Sequence, residues 1–465
     1  MITKISLQNF KSWEKTGDIR LSPITALFGS NSSGKTALMQ LLLMLKQTTE
    51  SPDRAQVLNL GDDRSSVELG SFKDIIFSHQ KEATLKFELT WKQDEDLRIS
   101  DPEHKKKILF QGNEFTFKAE IEESSIGRIL VNKITYDFAS NNFSMKRKPQ
   151  KNQYTLTAES SLNPSKNSFK FIRTLGRAWD LPAPMKCYGF PDQVKAYFQN
   201  ASFLADLELA FEKLFSRVYY LGPLRDYPRR QYIWAGAQPG DMGRRGEKVI
   251  DALLASRERK ESISRGRGLK RFTVEQYVAY WLRELNMIHD FSVEQIAEGS
   301  NLYQVWVRRM PKSAKVLITD VGFGVSQILP VLTLCYYVPE GSTILMEQPE
   351  IHLHPTVQAG LADVFIDAIK TRNVQIIIES HSEHLLRRLQ RRIAEEKIAN
   401  SDAALYFCEM RDERSHLNPL KLDLFGNITN WPKDFFGDEF GELASMTKAI
   451  QERKKRAQED EGRRS

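Results

Sequence analysis

Apolar and polar positions alternate over residues 2–8, the period of a half-buried strand, and a second, more apolar strand is predicted at Ile24–Phe28. A loop of Gly, Ser and Asn follows. The spacing then predicts a helix from about Lys35 to Gln47, because Leu38, Leu41, Leu42 and Leu45 recur at i, i+3, i+4 and i+7 and form one buried stripe. From about residue 67 to 172 the chain is mostly strand-like alternation broken by polar turns, which predicts an antiparallel region; residues 142–168 are polar and read as a hairpin or loop. Residues 191–217 and 245–288 carry helical spacing. From 303 the pattern runs strand 303–309, helix 325–338, strand Ser342–Met346, helix 356–370, strand Val374–Glu379, helix 382–396, strand Ala404–Cys408. Strands alternating with crossover helices imply a largely parallel sheet, buried on both faces.

This order predicts an α/β fold whose N- and C-terminal thirds share one sheet. Residues 1–190 would carry its first part with the antiparallel region, 191–300 an inserted helical lobe, and 301–445 its second part; 446–465 form a charged tail. A hydrophobic content of 41% over 465 residues supports a substantial core, and 27% charged residues argue against a membrane protein. No stretch reaches the roughly 18 consecutive apolar residues of a spanning helix. The first residues alternate like a strand and lack a basic segment followed by an apolar one, so no signal peptide is expected. Cys187, Cys335 and Cys408 are far apart and each has apolar neighbours, the pattern of buried thiols in a reducing cytoplasm. The net charge of +7 is mild for this length and permits nucleic-acid contact without requiring it.

Gly29, Ser30, Asn31, Ser32, Ser33, Gly34, Lys35 and Thr36 fit the phosphate-loop pattern GxxxxGK[ST], and they lie where it belongs, between an apolar strand and an amphipathic helix. Small residues let backbone N–H groups wrap phosphates, and the helix start adds its positive dipole end. Lys35 is expected to reach the β- and γ-phosphates of ATP, and Thr36 to ligate Mg²⁺ through its hydroxyl. The apolar strand before Glu347, Gln348, Pro349 and Glu350 would deliver those residues to the same sheet edge, with Glu347 placed to hold Mg²⁺ through its water shell. His381 ends the next strand, where a neutral imidazole can bond the γ-phosphate or the attacking water. His352, His354, His381 and His384 have no cysteine nearby to complete a zinc site.

Together these segments resemble the ABC-type ATPases of the SMC/RecF/OLD group, in the branch without long coiled coils. The resemblance implies an ABC-type ATPase head: a mixed, largely parallel sheet flanked by helices, an antiparallel β region, and the inserted helical lobe. Asn9, Phe10 and Lys11 look like the group's opening strand and would bring Lys11 towards the nucleotide. The run Tyr220–Arg225 is similar to a YxGPxR segment and places Arg225 near the shared core. Asp320–Pro330, with Gly322, Gly324, Ser326 and Gln327, resembles the signature segment that binds the γ-phosphate held by another subunit. That implies a homodimer with two composite sites, or a higher oligomer. Glu347–Pro355 is similar to the group's EEPExHLHP stretch. The residue after the magnesium carboxylate is usually the glutamate that polarises water; here it is Gln348, which cannot accept a proton at neutral pH, and Glu350 is the substitute if the loop turns it inward. Residues 404–450, including Gly426–Phe436, look like an uncharacterised C-terminal region of some of these ATPases. The likeness covers about 1–90, 218–235 and 303–440.

Such ATPases commonly serve bacterial DNA transactions or defence against phage. The resemblance therefore suggests a slow, nucleotide-gated switch acting on a separate effector protein, for instance a nuclease. A DNA-binding clamp of the repair type is the competing reading, supported by Arg229-Arg230, Arg244-Arg245, Arg257–Lys260, Arg265–Arg271 and Arg387-Arg388 with Arg391-Arg392. A nuclease within the chain itself is disfavoured, because no carboxylate cluster follows residue 440. No membrane partner is expected.

Overall fold

The computed structural model describes residues 1–80, 82–100, 108–149, 153–160, 169–176, 180–266, 268–432, 435, 444–451 and 453. Its centre is a six-stranded sheet in the order Val218–Leu221, Thr343–Glu347, Gln375–Glu379, Ile24–Gly29, Ala403–Arg411, Arg414–Leu420. The first five strands are parallel and the last is antiparallel. Successive side chains on a strand face opposite sides, and here both sides are core. Leu27, Leu345, Ile377 and Tyr406 enter one apolar cluster, while Phe28, Met346, Ile378 and Phe407 enter the other. That is why these strands read as unbroken apolar runs rather than alternation.

The first cluster lies between this sheet and an eight-stranded antiparallel sheet, with helices Lys35–Glu50 and Leu204–Phe215 in the layer between. The antiparallel region expected from 67 to 172 is this sheet, whose strands after the first three run from Leu85 to Ser160. The opening strand, Ile2–Phe10, was expected in the central sheet and instead pairs with Leu85–Ser100. Its alternating burial suits a sheet with one face in the core, and the continuous burial of the central strands is what it lacks. Gln375 ties the two sheets together. Its buried amide accepts from Ile2 N at 3.0 Å and donates to Ile2 O at 2.6 Å, and its oxygen also accepts from Thr343 Oγ1 at 3.1 Å. The polar stretch 142–168 does form a hairpin, Asn141–Arg147 with Tyr154–Ser160; residues 150–152 and 161–168 lie outside the described residues.

The second cluster packs helices Val249–Glu258, Val274–Glu284, Phe323–Tyr337, Pro355–Arg372 and Glu383–Ala394 on the other face. Residues 191–300, expected as one inserted helical lobe, are therefore divided between the two cores. Leu204–Phe215 joins the first, Val249–Glu258 and Val274–Glu284 join the second, and Val218–Leu221 is the edge strand of the central sheet between them. Strand Leu302–Arg308, read as the resumption of the parallel sheet, belongs to a small antiparallel sheet with Tyr232–Ile233, Asp290–Gln295 and Lys315–Leu317. Alternate burial along Leu302–Arg308 is again the reason, since only one of its faces is covered. All three cysteines are free and buried. Of the tail, residues 444–451 are helical and most of the remainder lies outside the described residues.

Candidate functional site

Parallel strands bring their C-terminal ends to one edge, and Gly29, Glu347 and Glu379 stand there on three adjacent strands. The loop after Gly29 needs glycine at both ends. Gly29 has φ +136° and a Cβ there would lie 2.0 Å from the Cys408 carbonyl oxygen; Gly34 has φ +91° and a Cβ would meet Ser415 Oγ at 2.4 Å. Trp13 Nε1 donates to the Gly34 carbonyl at 3.0 Å and Ser33 Oγ to the Ser30 carbonyl at 2.8 Å, which fixes the turn. Helix Lys35–Glu50 begins at Gly34 without a side-chain cap, so no side chain satisfies its first N–H groups through the cap position. Lys35 is folded back over the loop. Its Nζ donates to the Gly29 and Ser30 carbonyls at 3.1 and 2.6 Å and lies 3.8 Å from Glu379 Oε1. Burial, more than the opposing pull of Glu379, lowers the Lys35 ammonium from its ordinary value.

Thr36 Oγ1 donates to Glu379 Oε2 at 2.7 Å, so the carboxylate nearest the loop is Glu379. Glu347 is buried one strand further out, where its Oε1 accepts from Tyr220 Oη at 2.7 Å and burial pushes its carboxyl up to about 7. The Thr36 hydroxyl with the carboxylates Glu347 and Glu379 is a set of hard oxygen donors, the chemistry Mg²⁺ requires. Arg225 is also buried here. Its Nη2 donates to the Glu347 carbonyl at 3.3 Å, its Nε and Nη1 have no partner among the described residues, and burial lowers it to about 10.

Gln348 sits at φ +44° and donates its backbone N–H to the Glu379 carbonyl at 2.8 Å. Glu350 is turned inward. Its Oε1 accepts from Ser380 Oγ at 2.9 Å and from the His381 backbone N–H at 2.7 Å, while Oε2 is buried without a partner among the described residues. Burial raises the Glu350 carboxyl above its usual range. Partial burial and the charge of Lys35 lower the His381 imidazole, although its side chain reaches the surface. His354 caps helix Pro355–Arg372, its Nδ1 accepting from Thr356 N. Lys11 lies beside the helix rather than the loop, its Nζ donating to Gln40 Oε1 at 2.5 Å.

The segment holding Gly322, Gly324, Ser326 and Gln327 opens helix Phe323–Tyr337, again without a side-chain cap. Ser326 Oγ donates to the Phe323 carbonyl at 2.7 Å, and the Gln327 Nε2 is buried without a partner among the described residues. Phe323 packs on Tyr227 and His352, and Gly324 lies against Met287 and Leu353, so this segment meets the 227, 287 and 352 regions rather than its own phosphate loop. A Cβ on Gly322 would meet nothing within 4 Å.

The family description of the AAA ATPase domain matches residues 1–175 and 265–386, more than half of the chain, including loop 29–36, Gly322–Gln327, Glu347–Pro355 and Glu379–His381. The chain belongs to that ATPase family. Residues 398–446 of this AAA ATPase match a second description, a protein family of unknown function (DUF3696), in agreement with the uncharacterised C-terminal region read from the sequence. Among curated proteins none matches. Solved structures similar to the ATPase include an SMC head domain from Thermotoga maritima, at 11% identity over 90% of this chain and 99% of that one, TM-score 0.42. Others are an SMC head bound to the C-terminal winged-helix domain of ScpA (11%, 90% and 98%, TM-score 0.46) and an Smc head with an extended coiled coil bound to the C-terminal domain of ScpA, derived from Pyrococcus furiosus (11%, 90% and 96%, TM-score 0.43). No helix among the described residues of this ATPase is long and apolar enough to cross a membrane.

One residue of this site, Glu379, was missed in the sequence, and the bond from Tyr220 to Glu347 was not foreseen although the segment Tyr220–Arg225 was marked. Glu379 carries the same signal as Glu347, a carboxylate ending an apolar strand, whereas the sequence reading of that strand end rests on His381. Tyr220 and its strand lie directly after a helical run, and nothing local marks where they pair.

Proposed function

We propose that this ATPase is a nucleotide-gated switch in which two copies close head to tail over ATP and Mg²⁺ and so control a separate effector, in the cytoplasm, in phage defence or DNA transactions. The observation that carries the reading is the division of the site. Loop 29–36 with Glu347, Glu379 and His381 forms one half, whereas the uncapped helix start at Gly322–Gln327 makes its contacts elsewhere in the chain and presents open space at Gly322. A helix start of that kind suits a phosphate offered by another molecule.

In this reading Lys35 would leave the loop carbonyls to pair with the β- and γ-phosphates, and Thr36 with Glu347 and Glu379 would hold Mg²⁺, whose charge would offset that developing on the transferred phosphoryl group. His381 bonds the γ-phosphate as a neutral donor, and Ser326 and the backbone near Gly322 and Gly324 reach it from the other copy. Gln348 orients water without taking its proton. The second oxygen of Glu350 is the acceptor left, and slow turnover follows. Lys11 is left out of nucleotide contact in this reading, because its ammonium is already engaged by Gln40.

An effector is favoured over a DNA clamp by the state of the arginines. Arg229, Arg230, Arg257, Arg259, Arg387, Arg388, Arg391 and Arg392 each lie in an ion pair with a nearby carboxylate, so much of the basic text is neutralised locally.

The test mixes two inactive variants. Gly322→Asp has room for its side chain, and Lys35→Ala removes the phosphate charge. Each homodimer should be inactive, and the mixture should regain part of the ATPase activity through one intact composite site. Heterodimers that form and show no activity would count against the composite site.

A further inference from the structure

Glu379 is the carboxylate nearest the phosphate loop, and its surroundings are unusual for a group awaiting an anion. It ends the strand lying between the phosphate-loop strand and the strand of Glu347, in register with Leu27 on one side and Glu347 on the other. It is 5% exposed. Its Oε2 accepts the Thr36 hydroxyl at 2.7 Å and its Oε1 lies 3.8 Å from the Lys35 ammonium. It therefore engages both residues that the phosphate-loop pattern reserves for the cation and the phosphates. Two further carboxylates, Glu347 and Glu350, are buried nearby and interact electrostatically with it, against which stand Lys35 and Arg225.

A polyphosphate entering this pocket alone brings several negative charges against a buried anion that water screens poorly. A divalent cation reverses the sign of that interaction, because the same carboxylate then faces a positive charge. We propose that Glu379 makes nucleotide binding conditional on the divalent cation. Without the cation it holds Thr36 and sets its charge against the phosphates; with the cation it releases Thr36 and becomes a metal-facing carboxylate beside Glu347. The ligand class is a nucleoside triphosphate carrying Mg²⁺, and the inference rests on the phosphate-loop reading above.

Calorimetry of ATP binding, with excess Mg²⁺ and with a chelator, tests it on the full chain. Wild type should bind about thirtyfold or more weakly under chelation. Glu379→Gln keeps the shape and an acceptor for Thr36 but loses the charge, and should bind metal-free ATP about tenfold more tightly than wild type, leaving only a few-fold dependence on the cation. Glu379→Asp keeps the charge and should keep most of the dependence. Wild type that responds to chelation by less than about threefold, or a folded Glu379→Gln whose metal-free affinity matches wild type while ATP with Mg²⁺ binds normally, overturns this inference alone. Wild type that binds no ATP even with Mg²⁺ overturns the phosphate-loop reading and this inference with it.

Discussion

Gln348 and Glu350 differ by two positions and by nearly everything else in their surroundings. Gln348 stands at the strand end with a left-handed backbone, its N–H bonded to the carbonyl of Glu379. Such a conformation costs a residue with a Cβ about 1 kcal/mol or more, and it persists only where neighbours enforce it. The following turn swings Glu350 inward onto Ser380 and the His381 backbone, leaving one oxygen to act. In the mechanism proposed above, an amide at position 348 leaves proton transfer to Glu350, and ~3 kcal/mol of lost base catalysis costs about a hundredfold in rate. Steady-state ATPase rates should therefore be on the order of one turnover per minute. Gln348→Glu should raise them about tenfold or more, and Glu350→Gln should remove most of the residual rate. A wild-type rate of many per second, indifferent to both changes, would show that another group accepts the proton.

At the scale of elements, what joins the two sheets decides how firmly the loop edge is held. Gln375, on the strand that ends in Glu379, bonds both backbone groups of Ile2 from within the core. Gln375→Leu would fill the space but leave those buried groups and Thr343 without partners, a loss of about 2–4 kcal/mol. The midpoint of urea unfolding should fall accordingly, and an unchanged midpoint would mean that the sheets are held by their apolar layer alone. Helix Leu204–Phe215 in that layer carries Glu208, whose Oε1 accepts the Phe190 N–H at 2.7 Å and whose carboxyl is pushed up to about 7, chiefly by burial. The folded value thus lies above the unfolded one, and the folded chain binds the proton more tightly. This group's contribution to stability is complete below about pH 4.5 and is lost as pH rises towards 7 and beyond. Because Glu208 is partly exposed, the effect is discounted to about 1–2 kcal/mol. Glu208→Gln should match wild type at pH 4.5 and melt at a higher temperature at pH 8; equal melting at both values would remove Glu208 from the pH response.

Elements and the motifs on them were legible in the sequence wherever the signal is local. The loop from Gly29 to Thr36, the strand before Glu347 and the helix opening at Gly322 each declare themselves within about a dozen residues. Pairing is not local. Nothing between Ile2 and Phe10 states that their partner is Leu85–Ser100, and the four residues Val218–Leu221 reveal their place only beside Thr343–Glu347. Glu379 belongs to the same class of miss, since its importance comes from lying across from the loop, between strands that the sequence separates by more than three hundred residues.

At the scale of the whole molecule, the described residues collect their chemistry at one edge. Glu347, Glu350, Glu379, Arg225, Lys35 and His381 meet around the phosphate loop, and the three cysteines are buried, with burial pushing the Cys187 and Cys408 thiols up to about 12, far from nucleophilic use at neutral pH. A switch that turns nucleotide over slowly, as proposed above, is suited to timing. A closed state lasting about a minute gives another protein time to respond, and the size of that response is set by how differently the effector binds the closed and open forms. The effector should accordingly bind in a nucleotide-dependent way. Affinity capture of the tagged full chain from its native host, with ATP and with ADP, should recover a partner whose amount changes about tenfold or more between the two, a difference of about 1.4 kcal/mol in coupling. Lys35→Ala should abolish that difference along with its nucleotide affinity, which separates a gated partner from an incidental one. Recovery of the ATPase alone in both states, together with full biological activity from this gene by itself, would overturn the effector and leave the chain as the sole agent.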